Sequence, residues 1–196
     1  MHFSLTTLIS LLNLTTLIFA SPIGPDEAGK KKKLQPWQLS SISRFQPSGR
    51  PGTHPWNAIT ANIYDPNTLT LGVSSDGQQV IVPPSNATNC RAVWLYGDVE
   101  TPFRRSWPCD PVENGYWTLE ILEIPDFSVW HFKVRIKRIA ETTFLGAGYK
   151  RTFETTGEFI TQTNLTGACG GSGVCSFSLR PELSPLAMKQ IEITAS

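Results

Sequence analysis

Apolar and polar residues alternate along two neighbouring segments in the middle of the chain, residues 116–123 and residues 130–136. A period of two is typical of a β-strand that buries one face. A turn at Pro125-Asp126 separates the two segments. The pattern therefore predicts an antiparallel β-hairpin whose inward side chains are Trp117, Leu119, Ile121, Trp130, Phe132, Val134 and Ile136.

Other short segments rich in β-branched and aromatic residues also predict strands, with clusters of Pro, Gly, Asn and Asp between them. They lie at residues 37–45, 58–64, 92–96, 149–161, 174–179 and 189–194. About eight strands without a long helical period predict an all-β fold, a single antiparallel β-barrel or sandwich. Residues 65–89 offer one short strand at 79–82 and are otherwise interpreted as an exposed, variable loop.

The N-terminal residues differ in composition from the predicted domain at residues 34–196. Residues 1–20 are apolar, too short and too often interrupted for a membrane span, and end in Ala20, so they predict a signal peptide. Residues 21–33 end in four lysines and predict a disordered segment open to proteolytic processing. The chain is therefore expected to be secreted and not held in a membrane after cleavage.

The predicted domain is almost neutral once residues 1–33 are set aside. Subtracting the four lysines and two acids of that segment from the totals of 17 and 16 leaves 13 Lys/Arg and 14 Asp/Glu. A nucleic-acid-binding domain needs a basic surface. The charge balance therefore excludes nucleic acid as the expected partner.

The four cysteines, Cys90, Cys109, Cys169 and Cys175, predict two disulfides, because a secreted chain meets an oxidising environment. Three pairings are possible, and closure between sequence neighbours is the simplest: Cys90 with Cys109 and Cys169 with Cys175. A zinc site is disfavoured because no C-x-x-C spacing is present.

Two sequons predict N-glycosylation at Asn86 and Asn164, each in a loop-like segment shortly before a cysteine.

Enzymatic motifs are scarce, and no catalytic residue, metal ligand or cofactor is assigned. The only histidines after the leader are His54 and His131, and H-E-x-x-H is missing. The Gly170-Gly171-Ser172-Gly173 run lacks the last glycine of a nucleophile elbow. Glu154 and Glu158 share a strand face, a pairing that could serve glycoside hydrolysis but that solvated glutamates explain more simply.

One set of motifs resembles a known family. The residues are Ile42-Ser43, Arg50-Pro51-Gly52-Thr53, Trp56-Asn57-Ala58-Ile59, Asn62-Ile63, Cys90, Trp107-Pro108-Cys109 and the glycine-rich stretch from Cys169 to Cys175. Together they resemble the major Alternaria allergen family of secreted fungal β-barrels. The resemblance implies an allergen, elicitor or effector that acts on plant immunity, with no agreed enzymatic reaction. The N-terminal cysteine that links two chains in some members is missing here.

Alternation also predicts a basic stripe on the outer face of the second hairpin strand, formed by His131, Lys133, Arg135 and Lys137. We expect Glu120 to lie near His131 and Lys133 and to neutralise the stripe in part. The stripe is interpreted either as solvated surface or as a binding surface.

Two function classes follow. The first is a secreted fungal effector, elicitor or allergen-like protein, not an enzyme, that binds a host extracellular protein non-covalently. The alternative is a barrel for a small apolar ligand, with Trp37, Trp56 and Trp107 placed near its ends. A secreted hydrolase is less favoured.

Overall fold

Thirteen β-strands and one short 3-10 helix form the computed structural model of the chain, which describes residues 33–97 and 101–193. The strands are β1 (Trp37–Gln46), β2 (Trp56–Asp65), β3 (Leu69–Val73), β4 (Gln79–Val82), β5 (Ser85–Leu95), β6 (Ser106–Pro108), β7 (Tyr116–Leu122), β8 (His131–Phe144), β9 (Ala147–Ile160), β10 (Leu165–Cys169), β11 (Cys175–Leu179), β12 (Leu186–Met188) and β13 (Ile191–Ile193), and the 3-10 helix spans Pro181–Leu183. The expected signal peptide at 1–20 and the segment 21–33 lie outside the described residues, apart from Lys33.

Two antiparallel sheets form the body of the fold, here called sheet I and sheet II. Sheet I has the strand order β10-β11-β1-β2-β5, with β12 also paired to β1, and sheet II has the order β13-β9-β8-β7-β6. A separate hairpin pairs β3 with β4. The sheets do not close into a barrel, so the predicted all-β class is confirmed in its sandwich form.

The core lies between the two sheets because each strand turns alternate residues inward. Trp37 of sheet I packs on Trp117 of sheet II with ring centroids 4.7 Å apart. Phe132 stacks on Phe159 at 5.4 Å. Burial of each such side chain stabilises the fold by about 1.5–3 kcal/mol. The large aromatic side chains therefore fill the space that a ligand-carrying barrel would keep open.

Both disulfides pair sequence neighbours, as expected. Cys90 in β5 is bonded to Cys109 just after β6, which ties sheet I to sheet II along one edge. Cys169 and Cys175 join β10 to β11 within sheet I. In the chain-entropy model the larger ring contributes about 3 kcal/mol and the smaller about 2 kcal/mol.

One ion pair is buried inside the sandwich. Arg138 of β8 and Asp65 at the end of β2 are each 1% exposed, with a nitrogen–oxygen distance of 2.5 Å. The Arg138 guanidinium also donates to the Pro83 carbonyl at 2.9 Å and lies over the Trp117 ring. Breaking an ion pair this deeply buried costs much free energy, because the charge that remains is neither paired nor solvated.

The prediction that residues 65–89 form mainly an exposed loop is wrong, although the short strand predicted at 79–82 is confirmed as β4. This segment contains β3, β4 and the start of β5, and Leu69, Leu71, Val80 and Val82 are buried in the core. β3 was not predicted because it has only five residues and is surrounded by Pro, Asn, Ser and Asp residues that are typical of turns. Gly77, with φ of +83°, supplies the tight turn between β3 and β4.

The predicted hairpin is confirmed as β7 and β8, but β8 continues to Phe144 and then pairs with β9 along its whole length. The count of about eight strands was too low, because β3, β6, β10 and β12, which were not predicted, have only three to five residues each. Trp130 was predicted in the core and is 47% exposed, since it precedes the first residue of β8.

Candidate functional site

The four residues of the predicted stripe do share the outer face of sheet II. His131, Lys133, Arg135 and Lys137 are partly exposed, whereas the residues between them are fully buried. β7 and β9 flank β8 on this face and contribute glutamates. We call the surface formed by Glu120, His131, Lys133, Arg135, Lys137, Glu154 and Glu158 the charged face.

Strand register places a carboxylate beside most of the cations. Arg135 lies opposite Glu120 of β7, and its guanidinium is 3.2 Å from that carboxylate and 3.4 Å from Glu154 of β9. Lys137 is opposite Glu154, and its Nζ is 3.8 Å from Glu120. The charged face therefore carries intermixed positive and negative side chains. The prediction of a basic stripe is corrected accordingly.

The expectation that Glu120 lies near His131 and Lys133 is wrong. The β7–β8 register pairs Glu120 with Arg135, because the connection between Leu122 and His131 is longer than a tight turn. Lys133 makes no ion pair among the described residues, although Glu158 is its cross-strand partner. Lys133 is therefore the cation of this face that is open to a partner.

His131 holds two carboxylates from different parts of the fold. Its Nδ1 is 2.5 Å from Asp126 in the β7–β8 connection, and its Nε2 is 2.7 Å from Glu158 of β9. Partial burial alone would lower the pKa of His131, but the hydrogen bonds to Glu158 and Asp126 outweigh burial and raise the pKa above its ordinary value. The protonated ring can donate to both carboxylates at once and so fasten the connection to the sheet.

Arg44 is a buried cation that the sequence pattern did not reveal. A β-bulge between Leu39 and Ser41 shifts the alternation of β1, so Arg44 turns inward and is 3% exposed. Its guanidinium lies over the Trp94 ring at 4.6 Å and donates to Asn57 Oδ1 at 3.1 Å. Burial lowers the pKa of Arg44 to about 10.

The outer face of sheet I has a different composition and carries a shallow cleft. The cleft has a volume of about 440 Å³ and is lined by Phe45, His54, Ala58, Thr60, Asn89 and Arg91. Four further clefts, of about 250 to 720 Å³, lie elsewhere on the surface. None of these five is enclosed between the sheets, where the expected small apolar ligand would have been placed.

The residues considered for catalysis are engaged in structural contacts. Glu154 and Glu158 do share a face, but each lies against a cation, Arg135 or His131. His54 Nδ1 accepts a hydrogen bond from the Trp56 backbone N–H at 3.3 Å. Within residues 33–97 and 101–193, no group of three His, Cys, Asp or Glu side chains could hold a metal ion.

The two sequons have different surroundings. Asn86 is exposed on β5, and its amide makes no hydrogen bond within the described part of the chain. Asn164 Nδ2 donates to the Glu158 carbonyl at 2.8 Å, and its Oδ1 accepts from the Ile160 N–H at 2.8 Å. The Asn164 amide thus pairs with the backbone of β9 as a neighbouring strand would. Glycosylation at both positions stays a prediction.

Two disulfides indicate that the protein matures in an oxidising compartment. Across the described residues, no helix has the length and apolarity needed to cross a membrane. No protein-family model, no curated protein and no solved structure matches the chain.

Proposed function

We propose that this protein is a secreted effector or elicitor of a fungus that binds an extracellular plant protein non-covalently through the charged face. The observation that carries the proposal is the ordered set of outward cations and glutamates on one sheet face. Arranged charges of both signs give an interface its specificity and speed its association.

The charged face is preorganised for binding. Arg135 is held by two carboxylates, and His131 is held by two others. Side chains that are already fixed lose less conformational entropy when a partner docks. The buried aromatic residues beneath the face and the disulfide between the sheets keep the strands in register.

The expected partner surface follows from the charges that lack an internal counter-ion. Lys133 is such a cation, and Ile160, opposite His131 on the same face, is exposed. A partner with a carboxylate flanked by apolar side chains complements this pair. The resemblance to secreted fungal elicitors points to a plant protein, by analogy alone.

The test removes charge from the face without adding repulsion. Glutamine at Lys133, Arg135 and Lys137 is preferable to glutamate, because new carboxylates would lie beside Glu120, Glu154 and Glu158 and repel them. The matched control places glutamine at Arg50, Arg104 and Lys189, three exposed cations outside the strands of the charged face. Both variants are compared with the parent by biolayer interferometry against plant apoplastic proteins and by the oxidative burst in leaf tissue.

We expect the charged-face variant to bind at least about tenfold more weakly, a loss of about 1.4 kcal/mol, and to blunt the burst, while the control behaves like the parent. Equal binding by the charged-face variant would refute the proposal. Serine at the exposed Val73 and Ile81 then tests the β3–β4 hairpin as the second candidate contact surface. Point substitutions are needed because the buried residues of that hairpin rule out its deletion.

A further inference from the structure

Five polar residues lie in one straight row across the outer face of sheet I. Strand pairing connects them directly, from β10 through β11, β1 and β2 to β5. The row consists of Thr166, Ser178, Ser43, Thr60 and Arg91. Four spacings between strands give this polar row a length of about 19 Å.

The side chains of the polar row have no hydrogen-bond partner in the part of the chain that the structure describes. Its four hydroxyls and the Arg91 guanidinium make no side-chain hydrogen bond or ion pair within residues 33–97 and 101–193. The adjacent positions behave differently, since Asn62 Nδ2 donates to Ser41 Oγ at 2.9 Å and Asn62 Oδ1 accepts from the Asn89 N–H at 2.8 Å. Hydrogen-bonding capacity therefore faces outward along the polar row in particular.

A mostly apolar row runs beside the polar row on its other side. It consists of Ala168, Ser176, Phe45, Ala58 and Val93, again in direct register. Phe45 is partly exposed, and His54 packs against the edge of its ring at 5.9 Å. The 440 Å³ cleft lies where the two rows meet, between Phe45, Thr60 and Arg91.

The charge on this face comes from one residue. Arg91 is the single outward charged side chain on β1, β2, β5, β10 and β11, since Arg44 and Asp65 point inward. A guanidinium binds a carboxylate through two parallel hydrogen bonds. The neighbouring carboxylate of Asp110 is occupied, because it accepts hydrogen bonds from Thr88 and Asn89.

His54 adds a donor at the cleft. Its Nδ1 accepts the Trp56 N–H, so the neutral ring carries its proton on Nε2. The cleft therefore combines a guanidinium, a ring N–H and the Thr60 hydroxyl with the Phe45 ring. An aromatic ring offers an apolar platform, and the polar groups beside it fix the orientation of a ligand.

We propose that the outer face of sheet I binds an acidic polysaccharide, a chain of uronic-acid units. A sugar of this class has an apolar C–H face, hydroxyls around its rim and one carboxylate. The apolar face would lie on Phe45, the carboxylate on Arg91 and the hydroxyls along the serines and threonines of the polar row. This site goes beyond the proposed protein-binding function, since it lies on the opposite sheet.

The experiment is titration calorimetry of the full-length secreted protein with a short oligogalacturonate, with a neutral galactose oligomer of the same length as the second probe. The variants are Arg91→Gln, Arg91→Lys and the double variant Ser43→Ala with Ser178→Ala. Lys150→Gln is the matched control, because it removes one exposed cation away from the polar row. Unfolding in urea checks that each variant keeps the parent's stability.

We expect the parent to bind the acidic oligomer and to ignore the neutral one. Arg91→Gln should weaken binding by about tenfold or more, and Arg91→Lys should restore only part of it, since an ammonium lacks the planar fork. The serine double variant should bind more weakly, while Lys150→Gln and the charged-face glutamine variant should bind like the parent. Equal binding of the neutral oligomer, an unchanged Arg91→Gln variant or an equal loss in Lys150→Gln would each overturn the proposal.

Discussion

The two outer faces of the sandwich cover the same core with opposite chemistry. On sheet II, long charged side chains pair across strands, as Arg135 does with Glu120 and Glu154. On sheet I, the short hydroxyl side chains of the polar row stand in register and make no hydrogen bond within the described residues, and Arg91 is the one outward charge on the five main strands. Period-two alternation sets which residues face outward, but it does not set whether their polar groups are satisfied within the protein.

The difference implies two kinds of recognition. The charged face can present an ordered electrostatic pattern to a protein surface, an interaction that salt weakens. The polar row offers free donors and acceptors beside an apolar strip, an arrangement that fits a hydroxyl-rich chain. If the two faces depend on a common core, a core substitution should disturb both, whereas a substitution on one face should leave the other intact.

The largest effect is expected inside the shared core, where a change should disturb both faces together. Asp65→Ala leaves the buried Arg138 charge without its partner and should lower the free energy of unfolding by about 3–5 kcal/mol. Urea unfolding followed by tryptophan fluorescence measures this loss. The control Glu182→Ala removes an exposed carboxylate and should cost under about 1 kcal/mol. Similar stabilities for the two variants would contradict the role of the pair.

Removal of each disulfide should affect a different part of the sandwich. Replacing Cys90 and Cys109 by alanine should cost about 3 kcal/mol, and replacing Cys169 and Cys175 about 2 kcal/mol. The first bond joins the sheets, whereas the second lies within sheet I, so hydrogen exchange should accelerate in β10 and β11 alone after the second change. Faster exchange across sheet II in that variant would show that the faces are not independent.

Substitutions at the two sequons should differ in their effect on stability, by a smaller amount. Asn164→Gln breaks two hydrogen bonds to the edge of β9 and should lower stability by about 1 kcal/mol, whereas Asn86→Gln should have almost no effect. Unfolding of unglycosylated protein measures both changes. Mass spectrometry of the secreted protein checks whether glycans occupy the two sites. Equal stabilities of the two variants would remove the structural role assigned to the Asn164 amide.

The smallest effect concerns pH and the charged face. The pKa of His131 is raised in the folded protein, so its stabilising contribution is fully present below the ordinary value of about 6.5 and is lost as the pH rises through the folded value. The variant His131→Asn should therefore be less stable than the parent at pH 5.5, and the difference should shrink at higher pH. Urea unfolding of both proteins at pH 5.5 and at a series of higher pH values tests this trend. A stability difference that grows with pH would contradict it.

The sequence predicted local features better than non-local ones. The alternation of β7 and β8 was visible because each strand is amphipathic by itself, and the disulfides followed from short spacing. The inward position of Arg44 could not be predicted, because it depends on the bulge between Leu39 and Ser41. The partner of Glu120 depends on the length of the β7–β8 connection.

The polar row was missed for a related reason. Its five residues come from five strands that are far apart in the chain, and only the register of sheet I brings them into line. Each residue alone is an ordinary surface Ser, Thr or Arg. Within residues 65–89 the strand at 79–82 was predicted and is confirmed as β4, whereas β3 was missed because its apolar residues, such as Leu69, are few and are surrounded by turn-forming residues.

The most direct test of the separate roles of the two faces is a crossed binding measurement on one set of samples. The parent, the charged-face glutamine variant and Arg91→Gln are each titrated with a host protein isolated on the parent and with the short oligogalacturonate. Our account predicts that the charged-face variant loses only the protein and that Arg91→Gln loses only the oligosaccharide. If either variant lost binding to both ligands, or if both variants bound both ligands like the parent, the account would be contradicted.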